Sequence, residues 1–474
     1  MRLATAALVT AALVMATNTV LAQDISLNRP GSGARAAGMG NAFIAVSDDG
    51  TAATWNPAGL SQLRKPEFSL VHSTASRGLF LEGYRTRDQS AAFTTLSTAT
   101  TTASIEFASV AVPFNVASRP VTLQVGWRRL YQLASDLRGN MRRVPVSAGP
   151  RPESVIRVRN ESVLRIDNAS EGNIDVWSLA VAVRFTNRLS LGCSVDLYRG
   201  GWEDRGNTSE DPGILGPTDF SAFVDTHRVS GNNLNLGLLL AYPSLRVGVV
   251  YHGAFWGDTS DTLSARSSLT EPLAASLGPG AQLHFPRTVG LGVAWLPRPL
   301  LRLALDFTYD EWTEFLITGT PDSPDRAVNG FDGRPPELSA TRDTVSVNTG
   351  LEKLFPVKGR YVPLRLGAAY EPQGARDPLL REGFDHFILA AGTGLNTNSF
   401  KLDVALEYRW GGFRNTRNLS PVYQVGREQD FSLPPPPEAQ GTVRIQEWRL
   451  KVSLIYRVTD TEKLKDLLKK VFGS

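Results

Sequence analysis

The chain has 474 residues, of which 50 are basic and 46 acidic, so its formal net charge is +4 at pH 7. This near balance is spread along the chain and forms no basic patch, so we expect no nucleic acid as a partner. The single cysteine, Cys193, excludes an internal disulfide framework.

Residues 1–22 have the features of a secretory signal peptide. Arg2 supplies the positive start, a mostly apolar run follows, and Val20 and Ala22 are small enough for a cleavage site before Gln23. The alternative is a transmembrane helix, but Thr and Asn residues interrupt the run, and no later run reaches about 18 apolar residues. We therefore predict an exported chain whose mature form begins near Gln23.

Residues 23–63 are rich in Gly and Ala and lack the long alternation of a strand. The glycines permit close backbone approach, and an asparagine followed by proline is a turn or helix-start signal. A segment of small residues placed before the first strand suits a plug, or hatch, packed inside a barrel. We assign to this hatch Gly38, Gly40, Asn56, Pro57 and Ala58.

Residues 64–458 show the period-two alternation of β-strands. In residues 188–198, for example, Leu191 and Val195 alternate with Ser190 and Ser194. The alternating runs are about 9–11 residues long, which matches a tilted strand that crosses a bilayer, whereas soluble strands are usually about 5–6 residues long.

Aromatic residues stand at the ends of these apolar faces, where interfacial girdles belong. Among them are Trp177, Trp295, Trp312 and Trp448. A soluble β-sandwich is the alternative, because it also alternates apolar and polar residues. Strand length and the aromatic ends favour an all-β fold: a transmembrane antiparallel outer-membrane β-barrel of about 14 strands, with the hatch in its lumen.

Long polar stretches interrupt the strands and predict outer loops, with tight turns at the opposite end. They cover residues 138–153, 200–219, 257–285, 319–337 and 414–441.

Two of these predicted loops carry apolar residues that are candidates for a ligand groove. One set recurs at helical spacing, and the other clusters in the preceding loop. The alternative is that the two loops pack on each other. The candidates are Leu269, Leu273 and Leu277 in the first set and Ile214, Leu215, Phe220 and Phe223 in the second.

Residues 459–474 have leucines at helical spacing with lysines opposite, which predicts a short amphipathic C-terminal helix. It would serve as a solvated periplasmic cap or, alternatively, as a site for a partner.

No sequence motif indicates an enzyme, because GxSxG, HExxH and GxxxxGK[ST] are all missing. The five histidines are scattered without metal-ligand spacing, so we expect no metal and no cofactor. Gly31-Ser32-Gly33 faintly resembles a dinucleotide fingerprint but has no strand before it.

The N-terminal segment closely resembles the start of FadL-type outer-membrane transport proteins. The resemblance lies in GARA from Gly33, GMGNAF from Gly38, the pair Asp48-Asp49, and WNPAGL from Trp55. Residues 286–312, 364–372 and 387–408 are more loosely similar to the family's strands.

This resemblance implies a 14-stranded barrel with an N-terminal hatch in a Gram-negative type of outer membrane. It implies uptake of long-chain fatty acids or other hydrophobic small molecules, and lateral escape through a gap near an early strand. Outer-membrane lipid, lipopolysaccharide and, during biogenesis, the barrel assembly machinery are the expected partners. The alternative is a PorV-like barrel, which resembles the same start and acts as a shuttle or component of a protein secretion system.

Overall fold

The computed structural model describes residues 28, 31–86, 91–143, 162–211, 219–268, 273–276, 281–319, 327–331, 334–377, 380–415 and 439–459. The predicted signal peptide lies outside the described residues, and so does the predicted C-terminal helix except for Thr459. Among the residues described, no helix is both long and apolar enough to cross a membrane.

The chain forms one closed antiparallel β-barrel of 14 strands, as predicted. The barrel closes where the first strand pairs with the last, from Glu67 opposite Arg457 to Thr86 opposite Ala439. The strands are β1 (Glu67–Thr86), β2 (Ala91–Val116), β3 (Arg119–Arg143), β4 (Ser162–Arg184), β5 (Leu189–Asp211), β6 (Asp219–Ala241), β7 (Leu245–His252), β8 (Phe255–Ser267), β9 (Leu273–Ser276), β10 (Gln282–Phe285), β11 (Thr288–Arg298), β12 (Leu301–Asp310), β13 (Leu316–Thr318), β14 (Val328–Asn329), β15 (Thr344–Val357), β16 (Arg360–Glu371), β17 (His386–Asn396), β18 (Phe400–Asn415) and β19 (Ala439–Arg457).

Some positions of the wall are built from short strands laid end to end. β7 and β8 both pair with β6, and β10 and β11 continue one another along β8 and β7. β12 and β13 continue one another in the same way along β11 and β10.

The wall has its apolar face outside, because the surrounding solvent of such a barrel is lipid. On β5, Leu191 and Val195 are 43% and 45% exposed, whereas the alternating Ser190 and Ser194 are 6% and 2% exposed. The predicted period-two assignment of the two faces is therefore confirmed.

Tight turns join the strands at one end of the barrel. Ala117 and Ser118 both have positive φ (46° and 65°), and so do Lys358 and Gly359 (46° and 75°). Two-residue turns of this kind match the right-handed twist of the strands that they join. The long connections all lie at the opposite end, as predicted.

The early strands are much longer than predicted, since β1 has 20 residues and β2 has 26. Parts of the predicted loops 138–153, 200–219 and 257–285 are therefore strand. The polar residues there lie beyond the apolar belt, where neither face needs to be apolar, so the pattern resembled a loop although the strand pairing continues.

Residues 31–63, which we call the lumenal segment, pack against strands on different sides of the barrel, from β3–β6 to β16–β19. They contain helix α1 (Ala34–Gly38) and two 3-10 turns, Ala52–Thr54 and Pro57–Gln62. Met39, Phe43 and Leu60 are completely buried. Further 3-10 turns, Trp312–Glu314 and Pro336–Leu338, lie in the long connection between β12 and β15.

Wall glycines let the lumenal segment approach the strand backbones closely. A β-carbon added at Gly192 or Gly237, which are paired on β5 and β6, would collide with the Asn56-Pro57-Ala58 triplet. A β-carbon at Gly367 on β16 would collide with the backbone nitrogen of Gly40, which itself has a φ of +60°. The wall glycines in such contact are Gly192, Gly237, Gly248, Gly292, Gly350, Gly367 and Gly392.

We expect Gly367→Ala to displace the lumenal segment. The added β-carbon is attached to the β16 backbone and collides with the backbone nitrogen of Gly40, and neither group can rotate away. Overpacking of this kind costs about 1–3 kcal/mol, so trypsin should cleave after the buried Arg35 about tenfold faster than in the parent protein. The control is Gly126→Ala, where the new β-carbon lies at an ordinary 3.5 Å from its nearest neighbour. Equal digestion of the two folded variants would contradict the prediction.

Candidate functional site

The Asn56-Pro57-Ala58 triplet is fixed against the wall by the asparagine side chain. Asn56 Oδ1 accepts from the Ala58 backbone N–H at 3.0 Å, which caps the 3-10 turn. Its Nδ2 donates to the carbonyls of Ile44 at 3.2 Å and of Leu238, on β6, at 3.0 Å. One buried side chain thus joins two parts of the lumenal segment to a strand.

Gly38 and Gly40 lie against the opposite side of the wall. A β-carbon at Gly38 would come within 3.0 Å of the Gly392 Cα on β17. Asn348 Nδ2 donates to the Gly40 carbonyl at 2.9 Å. The structure therefore brings both glycines into contact with strands far away in sequence.

Asp306 holds the middle of the lumenal segment to β12. Its Oδ2 accepts from the backbone N–H groups of Phe43 at 2.6 Å and Ile44 at 2.7 Å. Asp306 is 1% exposed, so these two donors replace water at its Oδ2 atom, whereas its buried Oδ1 atom accepts no hydrogen bond from the described residues.

A buried network of ion pairs, centred on Glu352, holds the segment at the tight-turn end. Arg35 donates to both oxygens of Glu352, through Nε and one terminal nitrogen, each at 2.9 Å. Arg365 Nε reaches Glu352 at 2.8 Å, and an Arg302 terminal nitrogen reaches it at 3.1 Å. Bidentate pairing of this kind fixes geometry as well as charge.

Asp48 and Asp49 complete the network from the lumenal segment. Arg35 contacts Asp48 at 2.5 Å, and the Lys401 ammonium contacts Asp49 at 2.6 Å. Burial alone raises the pKa of both carboxyls, but Arg35 and Lys401 outweigh it and hold each pKa below its ordinary value. Burial likewise lowers the pKa of Arg35, and Asp48 and Glu352 reverse this and raise it.

The lowered pKa values of Asp48 and Asp49 and the raised pKa of Arg35 keep these three groups charged at neutral pH. The carboxylates stabilise the seated segment above their ordinary pKa of about 4, and that contribution is lost only as the pH falls below it.

A polar cavity lies beside the lumenal segment. Charged side chains on β2, β16 and β19 line it, together with Trp55 of the lumenal segment and Leu130 and Tyr131 on β3. The charged lining residues include Glu106, Glu371, Arg449 and Lys451.

In the wall beside this cavity, β2 and β3 have a stretch without strand pairing, which we call the slit. Pairing of these strands stops at Ala92 opposite Arg142 and resumes at Phe107 opposite Arg128. Residues 93–106 and 129–141, whose backbone the structure describes, have no strand pairing with each other. Instead, Ser104 Oγ donates to Gln132 Oε1 at 3.0 Å, and Thr98 Oγ1 donates to the Asp136 carbonyl.

The lower end of the slit lies at the level of the apolar belt. Ile105, which is 48% exposed on the outside, pairs with His72 on β1, and His72 pairs with Val452 within the apolar face of β19. Unpaired strand edges are costly in lipid and occur where they border a cavity.

A buried aromatic cluster lies on the long-loop side of the cavity and shares Leu130 and Tyr131 with its lining. Tyr198 stacks on Phe255 with ring centroids 4.4 Å apart, and Phe255 stacks on Phe285 at 5.5 Å. Trp312 meets Phe285 edge to face at 5.9 Å. The buried members of the cluster are Leu130, Tyr131, Leu133, Val176, Tyr198, Phe255, Phe285, Trp312 and Phe315.

Trp312 was expected in an interfacial girdle, and this prediction is wrong, because it is 2% exposed and lies inside the lumen. The 3-10 turn Trp312–Glu314 inserts extra residues between β12 and β13 and so turns the indole inward. In contrast, Trp177, Trp295 and Trp448 are 52–54% exposed on the outside.

Of the predicted ligand residues, the structure describes Phe220, Phe223 and the backbone of Leu273. Phe220 is 45% exposed and Phe223 is 5% exposed, on opposite faces of β6, and neither belongs to the aromatic cluster. The helical spacing predicted for Leu273 is wrong, because Leu273 begins β9 and pairs with Ala265 on β8. Ile214, Leu215, Leu269 and Leu277 lie outside the described residues.

Sequence reasoning missed the cluster, although one signal for it exists. Leu130 and Tyr131 are consecutive large apolar residues in an otherwise alternating strand. Strand pairing shifts register at this point, between Arg129 and Tyr131, so both side chains are buried. Such a bulge re-aims side chains.

The fold is shared with solved proteins that include a FadL homologue and two toluene transporters. A Pseudomonas aeruginosa FadL homologue is 13% identical with a TM-score of 0.60, covering 90% of this chain and 98% of that one. The P. putida toluene transporter TodX is 14% identical with a TM-score of 0.56, covering 91% and 100%. The Ralstonia pickettii toluene transporter TbuX is 15% identical with a TM-score of 0.54, covering 91% and 100%.

The sequence matches no protein-family model and no curated protein. The solved neighbours are transporters and channels rather than enzymes, in agreement with the prediction from the sequence motifs. At these identities the likeness establishes the fold.

Proposed function

We propose that this chain is an outer-membrane channel for uptake of hydrophobic compounds. A ligand enters at the long-loop end, binds at the aromatic cluster, passes into the cavity and leaves sideways between β2 and β3. The lumenal segment acts as a hatch that closes the straight route through the barrel, and Gly38, Gly40, Asn56, Pro57 and Ala58 are the residues that seat it.

The observation that carries this proposal is the position of Leu130 and Tyr131. Both belong to the aromatic cluster, both line the cavity, and both lie in the stretch of β3 that is unpaired with β2. Binding site, cavity and slit therefore meet at one pair of side chains.

Physical chemistry favours a lateral exit over passage along the axis. Below the cavity, a ligand would meet the buried ion pairs of Arg35 and Glu352, and an apolar molecule cannot replace the hydrogen bonds of these charges. Through the slit, the same molecule would enter the apolar interior of the bilayer, where its transfer is favourable.

The stacked rings favour flat aromatic ligands over flexible chains, because offset and edge-to-face ring pairs contribute about 0.5–1.5 kcal/mol beyond area burial. Toluene, which the solved neighbours TodX and TbuX transport, is therefore the first probe, and the fatty acid oleate is the second.

Closing the slit tests the proposal. Cysteines at Ser104 and Gln132, in a background with Cys193→Ser, are joined by a short bismaleimide in cells that express the protein. We expect initial uptake of labelled toluene to fall at least about tenfold, because the cross-link spans the only exit that the proposal allows.

The matched control places cysteines at Ser194 and Asn235, which face the lumen as a paired position on β5 and β6 and are already hydrogen-bonded at 3.0 Å. Cross-linking this pair should leave uptake unchanged. If the slit cross-link forms and uptake continues at the parent rate, the lateral route is wrong.

A further inference from the structure

The tight-turn end of the barrel carries a rim of exposed basic side chains. They lie in the segment before β1, in the turns β2–β3, β4–β5 and β11–β12, and around the turn β15–β16. The exposed cations are Arg64, Lys65, Arg119, Arg188, Arg298, Lys353, Lys358 and Arg360. We call these residues the cationic rim.

Acidic residues are almost missing from the same level. The described residues there are 63–67, 116–120, 184–189, 241–246, 296–301, 353–361, 396–400 and 457–459, and Glu67 is the one acid among them. Glu67 is 4% exposed and is already paired with Arg457 at 2.9 Å. The exposed charge of the rim is therefore of one sign, although the whole chain is nearly balanced.

Several of these cations lie on outward aromatic rings that mark the edge of the apolar belt. The Arg119 guanidinium lies 4.3 Å from the ring centroid of Phe185, and that of Arg188 lies 4.9 Å from the ring of Tyr242. Phe185 and Tyr242 are 51% and 42% exposed. Each pair presents a charge and an apolar surface side by side, as an interfacial residue pair does.

We propose that the cationic rim binds the headgroups of anionic phospholipids in the membrane leaflet that surrounds the tight turns. A phosphate meets the cations, while the first part of an acyl chain meets the adjoining aromatic ring. Basic clusters at a membrane surface attract anionic lipid in this way.

The distribution of the rim selects lipid over a protein partner. The cations lie on turns spaced around the barrel instead of on one side of it, and Lys353 points outward from β15, with its ammonium 4.9 Å from the Phe355 ring. A surrounding lipid leaflet reaches all of these positions at once, whereas a docked protein covers one sector. The inference rests on the membrane-spanning barrel and is independent of what the barrel transports.

Native mass spectrometry of the whole folded protein tests the inference. The protein in detergent receives equal amounts of a phosphatidylglycerol and a phosphatidylcholine with the same acyl chains, and bound lipid is counted. We expect phosphatidylglycerol to predominate, and the triple variant Arg119→Gln, Arg188→Gln, Lys358→Gln to reduce that preference at least about fivefold.

The matched control is Arg138→Gln, Arg205→Gln, Arg266→Gln, three exposed cations at the long-loop end, which should leave the preference unchanged. Heat-modifiable migration on gels verifies that both triple variants are folded. If the triple variant of the cationic rim does not fold, the single variant Lys358→Gln replaces it in the lipid-binding measurement. Equal binding of the two lipids, or equal loss in both triples, would overturn the proposal. Competition by millimolar inorganic phosphate would overturn it too, by assigning the rim to free anions.

Discussion

Glu352→Gln is expected to open the lumen of the barrel. Single barrels in planar bilayers should show a conductance at least about threefold above that of the parent protein, because the lumenal segment loses the centre of its anchoring network. The measurement is direct, since ion flow through the barrel axis depends on whether residues 31–63 fill it.

The size of the effect follows from what Glu352 holds. Three guanidinium groups, those of Arg35, Arg302 and Arg365, lie within 3.1 Å of its carboxylate. Removing one partner of a buried ion pair costs about 3–5 kcal/mol, because the remaining charges stay buried without compensation. A change of that size moves the equilibrium between the seated and the displaced segment by about two to four orders of magnitude.

The matched control is Glu311→Gln, which removes a carboxylate whose partner Arg287 is exposed. Exposed pairs contribute about 0–1 kcal/mol, so the conductance of this variant should equal that of the parent. If Glu352→Gln forms a folded barrel with unchanged conductance, the ion pairs are not what seats the lumenal segment.

Trp312→Ala is expected to weaken toluene binding at least about tenfold and to slow uptake correspondingly. The indole is 2% exposed and meets the rings of Phe285, Phe315 and Phe331 at centroid distances of 5.5–5.9 Å. Truncating a buried Trp costs about 3–5 kcal/mol, so the cluster collapses or admits water and no longer offers stacked rings.

Quenching of tryptophan fluorescence by toluene is unsuitable here, because the substitution removes the probe, so equilibrium binding of labelled toluene is measured. Trp256→Ala is the control, since Trp256 is 49% exposed on the outer face and stacks on His284. Equal affinities of the two variants would show that the ligand binds away from the cluster.

The sequence by itself determined that the chain forms a β-barrel and which side chains of each strand face outward or inward. The alternation of Leu191 and Val195 with Ser190 and Ser194 is a local property of period two, so it needs no knowledge of the strand's neighbours. The small-residue segment with Asn56 and Pro57 likewise signalled a structure different from the strands that follow. Long loops at one end and tight turns at the other followed from the long polar stretches between alternating runs.

Pairing, in contrast, was decided by the tertiary structure alone. The slit between β2 and β3 arises because hydrogen bonding stops at Ala92 and resumes at Phe107. The sequence of neither strand indicates where its pairing with the other strand stops. The inward turn of Trp312 likewise depends on how β12 and β13 align with β11 and β10. Aromatic composition alone fitted a girdle equally well.

The anchoring network shows the same limit most clearly. Arg35 and Glu352 are separated by 317 residues, and Asn41 and Glu407, hydrogen-bonded at 3.1 Å, by 366. The alternation of apolar and polar residues predicted the inward face of each strand. Which of the inward residues meet depends on the register of the strands and on closure of the whole barrel. Those are set by the sum of many pairings around the ring, so a local pattern predicts the faces and only the closed fold brings the charges together.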